Sequence, residues 1–171
     1  FMTTQVGRQF AMEMDCKSLK YLSVGGEKLV PCEPPKNFKF FNGYGPTENT
    51  IFTTIFEVDK YYNNVPIGKA LDNNKLYIID KFGHLLPYGA CGELMIAGWQ
   101  VSRGYLNKPE KTAEVYTKNI YDDEEGYEVL YHSGDVARYL TDGNIQIIGR
   151  KDSQVKIRGF RIELSEVEEV I

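Results

Sequence analysis

The sequence predicts an α/β fold that passes into a β-rich region. A helix-spaced opening leads to two apolar runs that each stop at glycine, and a middle stretch of short β-type runs is broken by turn residues. The chain end then starts a further helix. In residues 1–14, Val6, Phe10 and Met14 recur at helical spacing. The run 19–24 stops at Gly25-Gly26, and the run 38–42 stops at Gly43-Tyr44-Gly45-Pro46. Between them Pro31, Pro34 and Pro35 forbid a long regular element. Helix, strand, connection, strand is an α/β order, and glycine-rich turns after both strands point to a ligand site at their carboxyl ends.

From residue 51 the pattern changes. Strands are expected over 51–58, 75–80 and 92–98. Residues 108–114 open a short helix with Pro109 in its first turn, and 122–126 read as a solvated acidic loop. Further strands are expected at 129–132, 136–140, 145–148 and 154–158, with a turn at 141–144. At the end, Ser165 stands as an N-cap ahead of Glu166, Glu168 and Glu169, which starts a helix as the chain stops.

Composition narrows the function classes. The chain has 171 residues, 42% of them hydrophobic and 26% charged, which suits a globular segment. Its net charge of −4 gives no basic footprint for nucleic acid. No apolar run approaches the roughly 18 residues of a membrane span, and no signal peptide opens the chain, so a cytoplasmic protein is expected. Cys16, Cys32 and Cys91 are far apart without His at ligand spacing, so three reduced, mostly buried thiols are expected and no zinc site. His84 in a turn reads as structural; His132 lies in a strand beside Ser133-Gly134-Asp135.

Three constellations carry chemistry. Residues 42–48, Asn-Gly-Tyr-Gly-Pro-Thr-Glu, offer an aromatic face for a base, a hydroxyl and backbone N–H groups for a phosphate, and a carboxylate able to hold Mg²⁺. They also read as a capped turn, with Thr47 as N-cap. Asp135, after Gly134 at a strand break, suits the paired hydroxyls of a ribose or is a plain turn residue. Residues 149–163 hold five basic side chains from Arg150 to Arg161, either a phosphate-facing ribbon or a solvated hairpin.

Together, 42–48, Gly92-Glu93-Leu94-Met95-Ile96 with Arg103-Gly104-Tyr105-Leu106, Ser133-Gly134-Asp135, and 149–163 with Glu166 and Glu168 resemble, in order and spacing, the later core motifs of the adenylate-forming superfamily. The likeness is strongest to amino-acid adenylation domains of nonribosomal peptide synthetases. It includes Pro66-Ile67-Gly68-Lys69 and residues 85–89 and runs over nearly the whole chain. It implies the carboxyl-terminal part of the large adenylation subdomain over residues 1–151, a βα unit plus a β-rich distorted barrel. The start of the small α+β domain would follow over 152–171.

The resemblance also implies roles. Tyr44 would stack on adenine, with Asn42 beside the base. Thr47 would contact the α-phosphate and Glu48 would hold Mg²⁺, the two forming the catalytic pair. Asp135 would bind the ribose, Arg150 would approach ribose and phosphate, and Asp152 would be the hinge of a swinging small domain. Ser23, Gly25, Gly43, Ile51 and Phe52 would line the amino-acid pocket, with Thr4 a weaker alignment and a fairly bulky, uncharged substrate side chain implied. The implied reaction joins an amino acid to the AMP part of ATP and passes it to the phosphopantetheine thiol of a peptidyl carrier domain. Positioning and phosphate neutralisation would do the catalysis.

Some family parts lie outside this stretch: the early phosphate loop and the Asp for the α-amino group belong before Phe1, and the late catalytic Lys belongs after Ile171. The segment alone is expected to be inactive. Ser165 stands where Gly is usual. An acyl-CoA or D-alanyl-carrier ligase fits the 42–48 and 154–164 wording less well. A non-catalytic remnant sits poorly with intact Tyr44, Thr47, Glu48 and Asp135.

Overall fold

In the computed structural model the described residues are 1–152, 154–157 and 160–162. The expected helix from Ser165, with Glu166 and Glu168, and Arg158 of the basic ribbon lie outside them. A mixed sheet of β1 (Met2–Thr3), β2 (Tyr21–Gly25), β3 (Lys39–Tyr44), β4 (Thr54–Glu57) and β5 (Lys69–Ala70) runs in that order. Its first three strands are parallel, with Leu22 beside Phe40 and Val24 beside Asn42; β4 and β5 are antiparallel additions. The parallel strands therefore deliver Gly25 and Tyr44 to the same end of the sheet.

Helix α1 (Thr4–Glu13) packs against β2, but not through the expected face. Thr4, Gly7 and Ala11 are buried, whereas Val6 and Met14 are 59% and 53% exposed. Gly7 decides this: a Cβ there would lie 2.2 Å from Val24 Cγ1, so the helix comes closest to the sheet along its small residues. Phe10 still packs beside Phe38, with ring centroids 6.2 Å apart. Leu22, Val24, Leu29, Phe38, Phe40 and Val58 complete this first core.

The expected strand over 51–58 shrinks to β4. Thr50 takes φ 71°, and Ile51 and Phe52 stay in the loop before the strand. Thr47 does not cap a helix: residues Thr47–Asn49 make one 3-10 turn after Pro46, with no side-chain cap.

A second sheet orders β10 (Ile145–Arg150), β9 (Val129–Tyr139), β7 (Gly92–Gly98) and β6 (Asn74–Ile79), with β8 (Tyr116–Lys118) also paired to β9. β7 is sandwiched: Leu94 and Ile96 face one core with Ile78, Tyr131 and Ile145, while Met95 and Ala97 face another with Ile79 and Leu130. Burial on both faces explains its unbroken apolar run. The expected break at Ser133-Gly134-Asp135 is instead a bulge within continuous β9, where the register to β7 shifts between Glu93 and Met95 and Gly134 takes φ 71°.

Backbone hydrogen bonds link the two sheets where Ile67 and Gly68 meet β10. Ile67 N–H donates to Ile145 O and Ile145 N–H to Gly68 O, each at 2.8 Å. Helix α2 (Pro109–Val115) has Pro in its first turn, as expected. The 122–126 loop is not simply solvated: Lys75 Nζ pairs with Asp122 at 2.5 Å and Glu124 at 2.6 Å. β11 (Val155–Ile157) and β12 (Phe160–Ile162) pair antiparallel as a third sheet. Of the three thiols, all free, only Cys32 is buried; Cys16 is half-buried and Cys91 exposed, because Cys91 follows a surface turn. Among the described residues no helix is long and apolar enough to cross a membrane.

Candidate functional site

Where β2 and β3 end, a cavity of about 250 Å³ opens. Residues 26–29 and 42–45 form one side, and Val65, Ile67, Ile147, Asp135 and Arg150 close the other. Both glycine-terminated strands thus meet the bulge of β9 and the end of β10. Asp135 and Arg150 arrive as register partners of that antiparallel pair.

Asp135 is buried and ringed by donors. Tyr44 Oη donates to its Oδ2 at 2.5 Å and Arg150 Nη1 to its Oδ1 at 2.9 Å. Ser133 Oγ accepts the Asp135 N–H at 3.1 Å and donates to Leu94 O at 2.6 Å, which fixes the bulge. Burial, and then the Asp135 charge, push the Tyr44 phenol well above its usual range, so it stays a neutral donor. Burial alone would lower Arg150, but Asp152 and Asp135 outweigh it and hold the guanidinium charged. Arg150 grips Asp152 with a two-point fork, Nε to Oδ1 at 2.7 Å and Nη2 to Oδ2 at 2.5 Å. Asn42 donates to Pro66 O at 2.8 Å, which holds its amide at the cavity wall. A fixed carboxylate beside a fixed cation, in a mostly apolar cavity, suits a diol and a phosphate.

Thr47 and Glu48 lie in the turn after the Gly45-Pro46 step and do not line this cavity. Thr47 is exposed; Glu48 is buried, with its Oε1 accepting from Tyr105 Oη at 2.6 Å and its backbone carbonyl accepting from Ser102 N–H at 2.7 Å.

Of the expected substrate-pocket residues, Gly43 also borders this cavity, while Ser23, Gly25, Ile51 and Phe52 do not line it. Ser23 and Gly25 on β2 share the parity of Gly43 on β3. Phe52 covers Gly43: a Cβ at Gly43 would lie 2.4 Å from the Phe52 ring, and one at Gly25 would lie 2.8 Å from Gly43 O. Phe1 meets Phe52 edge-on at 5.5 Å. Gly25, Gly43 and Phe52 are therefore brought together, with Ser23 beside them. Ile51 is 65% exposed, and its backbone packs against Gly45. Thr4 has a structural partner, exchanging hydrogen bonds with the backbone of Glu27 at 3.1 and 3.2 Å.

Sequence reasoning missed Val65, Ile67 and Ile147 as cavity walls, and it noted Tyr105 only as part of a motif. Their partners lie far away in sequence, 57 positions in the case of Tyr105 and Glu48, and no local signal reports such a meeting.

Comparison with known proteins identifies relatives of this chain. The family described as AMP-binding enzyme matches residues 2–106. Bacitracin synthase 1 of Bacillus licheniformis is 48% identical over 168 residues, 98% of this chain and 3% of that protein. Gramicidin S synthase 2 of Brevibacillus brevis is 46% identical over 160 residues, 90% of this chain and 4% of that protein. Among solved structures, holo-PA1221, an NRPS protein containing adenylation and PCP domains bound to a vinylsulfonamide inhibitor, superposes with TM-score 0.87 at 28% identity, over 99% of this chain and 31% of that one. NpsA-ThdA, an artificially fused adenylation-PCP di-domain from Klebsiella oxytoca, gives 0.84 at 28% identity, over 99% and 33%. The chain thus spans a few per cent of the synthetases it matches and about a third of the solved neighbours. With the family match covering more than half its length, the chain belongs to the AMP-binding enzyme family, as part of an adenylation domain of the nonribosomal peptide synthetase kind.

Proposed function

We propose that the protein containing this chain activates an amino acid with ATP and loads it onto the phosphopantetheine thiol of a carrier domain in the same assembly. A carboxylate oxygen of the amino acid attacks the α-phosphorus, the bond to the β-phosphate breaks, and pyrophosphate leaves. The carrier thiol then loses its proton, its sulfur attacks the acyl carbon, and AMP departs. The observation that carries this reading is Asp135, buried at the cavity wall and oriented by Tyr44 and Arg150.

In this reading the cavity takes the adenosine of ATP. Asp135 accepts from the ribose hydroxyls, Tyr44 supplies the aromatic wall while its hydroxyl orients Asp135, and Asn42 faces the base edge. Arg150 meets the ribose and phosphate, and Thr47 donates to the α-phosphate. Mg²⁺ fits the donor set: it is commonly held by one or two carboxylates plus substrate phosphates, and Glu48 supplies one such carboxylate. Among the described residues no group of three potential ligands offers an all-protein metal cage. When bound, the ion neutralises phosphate charge. The amino-acid side chain enters against Ser23, Gly25, Gly43 and Phe52. Two glycines and an aromatic wall favour an uncharged side chain.

We further propose that the large subdomain ends at residue 151 and a small domain begins at the hinge Asp152. The separate third sheet after Asp152 supports this boundary. The test is amino-acid-dependent exchange of labelled pyrophosphate into ATP by the full-length protein. Exchange with a particular amino acid is expected; no exchange with any amino acid, or AMP release that depends on coenzyme A, overturns the reading.

A further inference from the structure

We propose that Tyr105 is a positioning residue for the Glu48 carboxylate, fixing the plane in which Glu48 meets a divalent cation on the ATP phosphates. The proposal rests on the reading of Glu48 given above. Tyr105 Oη donates to Glu48 Oε1 at 2.6 Å, a charge-assisted contact in a part-buried setting.

The phenol is itself seated. Tyr105 N–H donates to Thr112 Oγ1 at 2.9 Å, and the Thr112 hydroxyl donates to Lys108 O at 2.9 Å. The ring stands edge-on to Tyr116 at 5.9 Å and 77°, with Lys111 Nζ 5.7 Å from its centre. Gly104 makes the seat possible. It takes φ 117°, and a Cβ there would lie 2.3 Å from Thr112 Cγ2.

The loop that carries Tyr105 also holds the turn that carries Glu48. Ser102 N–H donates to Glu48 O at 2.7 Å, and Thr50 Oγ1 donates to Gln100 O at 2.9 Å. Behind the turn, the buried Asn49 amide donates to Thr53 Oγ1 and Asn74 Oδ1, each at 2.8 Å. Backbone and carboxylate of Glu48 are thus fixed from one loop, so the carboxylate plane is set before any ligand arrives. A group that orients a ligating carboxylate acts on metal affinity, and loss of such a partner commonly weakens a site about 10- to 100-fold. Tyr105 does not line the cavity that contains Tyr44 and Asp135, so nucleotide affinity without metal should not depend on its hydroxyl.

The test uses the full-length protein and Mn²⁺ as probe, titrated in the presence of ATP and followed by electron paramagnetic resonance. Tyr105→Phe keeps the ring contacts and should weaken Mn²⁺ binding about tenfold or more. AMP affinity measured without metal should be unchanged. Tyr62→Phe, which removes another 2.6 Å phenol–carboxylate bond, to the exposed Asp59, should move neither. If Glu48→Gln weakens Mn²⁺ binding while Tyr105→Phe stays within about twofold of wild type, the proposal is overturned and the reading of Glu48 stands. If Glu48→Gln itself changes nothing, both fail. Should Tyr105→Phe not fold, Thr112→Val, which removes the hydroxyl seating Tyr105, should weaken Mn²⁺ binding in the same direction; unchanged binding would overturn the proposal.

Discussion

Asp135 gathers Tyr44 and Arg150 on its two oxygens, so its geometry is set before a ligand enters. Replacing it with Ala should lower AMP affinity about 10- to 100-fold, the scale of hydrogen bonds to a charged group. Calorimetric titration checks this, and 2′,3′-dideoxy-AMP should bind wild type and variant alike. His132 allows a prediction in pH. Burial lowers its pKa below 6.5; Glu93, 3.9 Å away, opposes this, and Lys151 adds to it. The folded protein then takes up the proton less readily than the unfolded chain, so stability is fully present above the unfolded pKa and is lost as pH falls through the folded one. Thermal melting of the full-length protein between about pH 7.5 and 5.5 should show an acid-side loss that shrinks in His132→Gln, which can keep a contact to Thr117. The sequence marked Tyr44 and Asp135 as separate candidate groups, and the fold brings both to one cavity. Tyr105 was not legible, because its meaning lies in a hydroxyl reaching Glu48 from another loop.

At the scale of elements, β9 shows what local pattern misses. Ser133-Gly134-Asp135 looks like a strand break, yet flanking pairs with β7 and β10 hold the strand continuous and absorb the extra backbone in a bulge. Gly134 serves that bulge twice. Its φ of 71° favours glycine, and a Cβ would lie 2.7 Å from Arg150 Nη2 and 3.0 Å from Asp152 Oδ2. Gly134→Ala should therefore destabilise by about 1–3 kcal/mol and also weaken AMP binding by displacing Arg150. A lower melting temperature with unchanged AMP affinity would show that the bulge does not position Arg150. Helix α1 and strand β7 were readable from spacing and from an unbroken apolar run. The buried face of α1 was not, since Gly7 against Val24 is a property of the pair and not of the helix.

Over the whole molecule, the cavity needs parts from position 26 to position 150, and they meet because Ile67, Gly68 and Ile145 lock the two sheets together. The net charge of −4 says nothing of the local cation at Arg150. Val6 and Met12 on α1 and Met14 just after it leave apolar surface exposed. Sequence alone determined the order of helix and strands and the glycine-rich turns that end β2 and β3. Those follow from periodicity and side-chain chemistry, which act over a few neighbouring residues. Tertiary structure decided which face of α1 is buried, that Ile51 is exposed while Phe52 covers Gly43, that Tyr44 is tied to Asp135, and that Tyr105 hydrogen-bonds Glu48. Each of these depends on atoms distant in sequence coming within a few ångströms, and only the packed chain fixes those distances.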